Sequence, residues 1–165
     1  NEIKECVNEI KKFHSKIILL HCVSGYPTPD HEANLNRILS LKKCFKDINI
    51  GLSDHSNDII SSLSSIPLGA KVIEKHFTLS RSEGGVDSAF SLEPNELASL
   101  VTETERAHQA LGTISYGSTE AEKGSLSRRR SLYVGENMKY QQYLSLQQYS
   151  LCSNATNDYV QFGIV

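Results

Sequence analysis

Three short apolar runs, each passing at once into residues able to do chemistry, constrain this chain more than any other feature. They occupy residues 16–22, 48–52 and 71–73, and end in His21 to Ser24, Ser53 to His55 and Glu74 to His76. Continuous apolar runs of this length read as strands buried on both faces. Between and around them apolar positions recur at helical spacing. The sets are Ile3, Cys6, Val7, Ile10 and Phe13, then Leu35, Ile38, Leu39 and Phe45, then Ile59, Ile60, Leu63 and Ile66. A fourth helix opens at Glu93-Pro94 and closes at Gly112, with Leu97, Leu100, Val101, His108 and Leu111 on one face. The order α-β-α-β-α-β-α, with short connections, predicts parallel strands joined by right-handed crossovers.

In such a sheet ligands gather at the carboxyl ends of the strands. Neither a G-x-G-x-x-G nor a Walker loop follows any of the strands, which weighs against a nucleotide-binding fold and favours a (β/α)8 barrel. A full barrel takes about 250 residues and eight strands. The expectation is therefore α/β, a partial TIM barrel holding the last three strands and their helices. The chain opens on Asn1 rather than Met, in keeping with a start that lies elsewhere. Residues 1–117 are assigned to this barrel part and 118–138 to a linker and the start of a further domain. Residues 139–165, rich in Gln, Ser, Asn and Tyr without a period, form a poorly defined tail.

Charge and cysteine usage narrow the class. The net charge of −2, from 17 Lys and Arg against 19 Asp and Glu, argues against a nucleic-acid partner. No run approaches membrane-spanning length, and signal or lipidation motifs are absent, so a cytoplasmic protein without a membrane partner is expected. Cys6, Cys22, Cys44 and Cys152 show neither a C-x-x-C pair nor zinc spacing, and read as small buried thiols.

The strand ends carry the chemistry. His55 and His76 lie just beyond two strands expected to be neighbours about 4.8 Å apart, where two imidazoles could share one cation or serve as satisfied structural histidines. Glu74 shares a face with His76, two residues away, either as a buried carboxylate beside a metal or as half of a salt bridge. Lys71 and Lys75 fall on the other parity and are expected to face helices or solvent. Ser53 could hold a phosphate or carboxylate and Asp54 could orient a histidine, or Ser53, Asp54 or Ser56 could cap the next helix. Tyr26, between Gly25 and Pro27, is placed to contact a ligand or to stabilise its turn. His14, His31 and His108 read as ordinary.

Three motifs now stand in order: H-C-V-S-G-Y-P-T-P at 21–29, G-L-S-D-H-S at 51–56 and G-A-K-V-I-E-K-H-F-T at 69–78. Together they resemble the sialic acid synthase family. The stretch G-V-D-S-A-F-S-L at 85–92, with Ala110-Leu111-Gly112 and Ser115-Tyr116-Gly117, is most similar to its pseudaminic acid synthase branch. The likeness runs over residues 1–134.

The resemblance implies a transferase that condenses phosphoenolpyruvate with an open-chain diacetamido-trideoxy sugar (6-deoxy-AltdiNAc), giving pseudaminic acid and releasing phosphate. N-acetylneuraminic or legionaminic acid synthesis differs from it only in the sugar. A divalent metal is implied, Mn2+ first with Mg2+ or Co2+ as substitutes. Its ligands would be His55 and His76. Glu74 would contact the sugar and assist proton transfer, Ser53 and Ser24 would bind phosphoenolpyruvate, and Tyr26 and Asp87 would contact the sugar. Ser24 stands where some relatives carry Asn. The full-length enzyme is expected to be a homodimer in which an antifreeze-like domain lends an arginine to the partner's site. The family's early lysine-bearing motifs are absent here, so the chain alone is expected to be inactive. A reading from another class is a catalytically silent barrel remnant that only binds.

Overall fold

Strands β1 (Ile18–Cys22), β2 (Asn49–Asp54) and β3 (Ile73–Lys75) form a parallel sheet in the order β1-β2-β3. The register pairs Cys22 with Ser53, Ser53 with Glu74, and Asp54 with Lys75. The structure is a computed structural model that describes residues 2–128 and the backbone segments Leu132–Val134 and Tyr149–Leu151. The helices are α1 (Glu2–Lys11), α2 (Arg37–Cys44), α3 (Ile60–Leu68) and α4 (Pro94–Leu111). The α/β order and the parallel sheet are those expected from the apolar runs.

Alternation along the strands sorts the sheet into two unlike faces. Ile50 and Leu52 of β2 pack with Ile38 of α2 and with Ala70, flanked by Leu19, Leu35, Leu41, Phe45 and Leu68. Each fully buried Ile or Leu here contributes about 1.5–3 kcal/mol. The opposite face carries Leu20 and Cys22, Gly51 and Ser53, and Glu74. Gly51 is there because the strands crowd it: a Cβ would strike the Val72 carbonyl oxygen and approach Leu20 Cδ2 to 2.6 Å. Helix α3 stops at Gly69, whose φ of 92° closes the last turn by donating to the carbonyls of Ile66 and Ser65. Pro94 and a capping box between Glu93 and Glu96 start α4.

Several expectations are corrected. The apolar stripe of α1 is mostly uncovered: Val7 is buried, but Ile3, Ile10 and Phe13 are exposed. Cys6, Cys22 and Cys44 are exposed rather than buried, because α1, α2 and the sheet's second face lack a covering layer among the described residues. Asp54 and its neighbours do not cap α3. Its cap is Ile59, and Asp58 Oδ1 accepts from the Ile60 amide at 2.8 Å. Two strands run past their apolar runs: β2 continues through Ser53 and Asp54, and β3 spans Ile73–Lys75, overlapping the run at 71–73 only at Ile73.

The chain divides into two compact units, residues 1–113 and 114–165. In the second, the stretch read as a linker winds as an exposed 3-10 helix over Glu120–Arg128, and β4 (Leu132–Val134) pairs antiparallel with β5 (Tyr149–Leu151). Cys152 and, β5 apart, the tail 139–165 lie outside the described residues. Among the described residues no helix is long and apolar enough to cross a membrane.

Candidate active site

His55 and His76 meet above the carboxyl ends of β2 and β3, their ring centroids 5.2 Å apart. They continue the alternation of Ser53 and Glu74, so they rise from the face that α2 and α3 leave uncovered. His55 is buried, 6 % exposed, and its Nδ1 lies 2.9 Å from the Val23 carbonyl oxygen. A carbonyl only accepts, so Nδ1 carries a hydrogen, and it is in the neutral ring that Nε2 offers its lone pair. The Cys22 thiol is 3.8 Å from the same Nδ1. His76, one-third exposed, holds Nδ1 3.6 Å from an oxygen of Asp87. A hydrogen bond thus orients the His55 ring, while His76 has a carboxylate oxygen near one nitrogen without a hydrogen bond to it.

Aromatic rings complete the corner. Tyr26 lies over His55 at 4.3 Å between centroids and stands edge-on to His76 at 6.0 Å. Phe90 touches His76 at 5.1 Å and Tyr26 at 5.8 Å. Two hydrogen bonds fix these loops. Thr28 donates its amide to the His55 carbonyl at 2.9 Å, and Leu92 donates to the His76 carbonyl at 2.9 Å. Phe90 was not singled out from the sequence, although its place in the 85–92 motif could have drawn attention to it.

Ser53 donates its hydroxyl to Glu74 Oε1 at 2.7 Å, as the strand register dictates. Glu74 is exposed, not buried, and engages a serine instead of a basic partner. Asp87 is beside His76, and Tyr26 is beside both histidines. Ser24 is exposed and makes no side-chain hydrogen bond among the described residues. Of the seven residues singled out, six therefore gather in this corner or pair directly within it, and Ser24 does not.

Behind the site lies a pair the sequence did not disclose. Lys75, expected to face helices or solvent, is buried with its Nζ 3.2 Å from Asp54 Oδ2, their side chains 2 % and 3 % exposed. Asp54 does not orient a histidine. It accepts from the Ser56 amide and hydroxyl at 2.9 and 2.7 Å and from the Ser62 hydroxyl at 2.5 Å. Burial pushes its carboxyl up, but the Ser62 and Ser56 hydrogen bonds and the Lys75 charge outweigh this and hold it below the ordinary aspartate value. His21, another strand-end residue, is turned away and bonds the Ala33 carbonyl at 2.8 Å.

Among the described residues no group of three or more His, Cys, Asp or Glu side chains gathers as a cage for a metal. The donor set offered at this corner is the two imidazoles of His55 and His76.

The parallel α/β sheet places the paired histidines above its strand ends, the position where open α/β sheets and barrels hold their ligands. Residues 1–116 match the NeuB family, and the chain belongs to it. It is 42% identical over 142 residues to the N,N'-diacetyllegionaminic acid synthase of Campylobacter jejuni, covering 84% of this chain and 42% of that protein. To a pseudaminic acid synthase of the same species it is 40% identical, covering 74% of this chain and 36% of that one. A solved N-acetylneuraminic acid synthetase from Leptospira borgpetersenii superposes with a TM-score of 0.68 at 44% identity, over 78% of this chain and 45% of that one. The chain thus spans less than half the length of these relatives.

Proposed function

We propose that this chain forms the metal- and sugar-binding corner of a nonulosonic acid synthase, as the last three strands of a TIM barrel. The observation that carries the reading is the His55–His76 pair, rings 5.2 Å apart, each with Nδ1 near an oxygen. Such a pair suits a first-row divalent ion that keeps open positions, Mn2+ foremost. Bound there, the ion would supply Lewis-acid polarisation of the sugar aldehyde.

The chain's own residues then divide the remaining work. His55 and His76 hold the metal site, with Val23 setting the His55 ring orientation and Asp87 beside His76. Glu74, fixed through Oε1 by Ser53, keeps Oε2 free to take or return a proton at the aldehyde oxygen. Tyr26 and Asp87 border the space where the sugar would lie. In the reaction the enol carbon of phosphoenolpyruvate bonds to the aldehyde carbon, whose oxygen gains a proton. Water adds at the carbon bearing phosphate, and inorganic phosphate leaves. Ser53 is the phosphoenolpyruvate contact proposed on this chain.

The 85–92 stretch supports pseudaminic acid as product. Identities of 42% and 40% to legionaminic and pseudaminic acid synthases support either sugar equally. The test is phosphate release by the full-length protein with Mn2+ and each of the three acetamido sugars in turn. Turnover is expected with the 6-deoxy-AltdiNAc sugar, and it should vanish in His55→Ala and His76→Ala while the fold persists. Undiminished turnover in both variants would refute the proposal.

A further inference from the structure

We infer that the buried Lys75–Asp54 pair is a positioning device that sets His55 and His76 at a spacing from which one ion can be shared. The inference rests on the metal reading above. Lys75 immediately precedes His76, and Asp54 immediately precedes His55. Their Cα atoms face each other in the β2–β3 register. Lys75 Nζ reaches Asp54 Oδ2 at 3.2 Å and donates to the Ser56 carbonyl at 2.7 Å. Asp54 in turn holds the Ser56 amide and hydroxyl and the Ser62 hydroxyl of α3. Both chain neighbours of His55 are therefore tied to the residue that carries His76.

Neither side chain enters the site, since by strand alternation the pair lies on the helix-covered face and the histidines on the other. A buried ion pair is a poor way to add stability, because removing two charges from water offsets most of their attraction. Apolar side chains of similar volume would fill the space as well. What apolar residues lack is direction. Five polar contacts converging on the 54–56 turn fix where the His55 backbone sits relative to β3. Outer residues that orient ligands typically govern metal affinity by about 10–100-fold.

The test is Mn2+ titration of the full-length protein, with free ion followed by electron paramagnetic resonance and thermal unfolding measured alongside. Lys75→Met is expected to weaken Mn2+ binding by about 10–100-fold and to lower the unfolding temperature, since it strands the Asp54 charge. The double variant Lys75→Met with Asp54→Leu should recover much of that stability while Mn2+ binding stays weak. Ser62→Ala, a milder change, should weaken Mn2+ binding with a smaller loss of stability than Lys75→Met. Parent-like affinity in the double variant, or in Ser62→Ala should the double variant fail to fold, would show the pair to be merely structural. His76→Ala separates the two claims. Parent-like Mn2+ binding there refutes the metal reading and this inference with it, whereas parent-like binding confined to the pair variants refutes the inference alone.

Discussion

Glu74 and Ser53 show how strand register becomes chemistry. Their Cα atoms are partners across β2 and β3, so the serine hydroxyl has little choice but to point at the carboxylate 2.7 Å away. That bond uses Oε1 and leaves Oε2 for the proton transfer proposed above. Glu74→Gln keeps an acceptor for Ser53 but cannot take up a proton, and is expected to lower kcat by about 10²–10⁴-fold. Mn2+ affinity should be unchanged, because Glu74 is not among the proposed ligands. Steady-state kinetics paired with metal titration checks both halves, and a comparable fall in metal affinity would reassign Glu74 as a ligand. Tyr26 makes a different prediction. It touches His55 through its ring face, so Tyr26→Phe should be nearly silent in metal binding. Tyr26→Ala opens one wall of the site and should raise the sugar KM more than it lowers kcat.

At the scale of elements, the loop between β3 and α4 is held by one arginine. Arg81 donates through its amide and guanidinium to Glu93, Ser91 and Glu96, fastening residues 81–91 to the first turn of α4. Asp87 and Phe90, which border His76, ride on that loop. The Glu93 amide first, and the Arg81 side chain second, hold the Glu96 carboxyl below the ordinary glutamate value. Because folding lowers that value, the stabilisation is fully present above the ordinary glutamate pKa and is lost as pH falls through the lower folded one. Glu96→Gln retains the capping acceptor but loses the charge. Half-exposed and screened as it is, the change should cost about 0.5 kcal/mol near neutral pH. The gap to the parent should close as pH drops through the acid range. Chemical denaturation at several pH values measures it, and a gap that widens toward acid would be the wrong sign. The sequence made these elements legible wherever one periodicity ruled: Pro94 and Gly112 bounded α4 to the residue, and the apolar runs located β1 and β2, whereas β3 begins only at Ile73, where its run ends. It could not show Lys75 and Asp54 as partners, because parity assigns a side chain to a face without saying what meets it there. The α1 stripe misled for a related reason, since Ile3, Ile10 and Phe13 declare a buried face without supplying what buries it.

For the molecule as a whole, the sheet is the limiting feature. β1 and β3 are both edge strands, and the face bearing Cys22, Ser53 and Glu74 is largely uncovered. A cleft of about 980 Å³ runs beside β3, walled by Ile66, Val72, Leu97, Val101 and Leu111. Open parallel edges with apolar flanks favour association with other chains. The same face explains what chemistry is missing. Phosphoenolpyruvate presents a phosphate and a carboxylate, and holding both takes several cationic or amide donors at close range. Along the uncovered face the described strand residues are Ile18, Leu20, Cys22, Asn49, Gly51, Ser53 and Glu74, with no lysine or arginine among them. Lys75 is spent on Asp54 behind the sheet, and Arg81 on Ser91, Glu93 and Glu96. The 165-residue polypeptide by itself should therefore release no phosphate from phosphoenolpyruvate with any acetamido sugar. On the proposed reading, a protein that adds the other strands of a TIM barrel and an antifreeze-like domain should turn over. Phosphate release by the purified 165-residue chain alone, dependent on both sugar and Mn2+, would mean that the histidines, serines and amides of this corner bind phosphoenolpyruvate without cationic help.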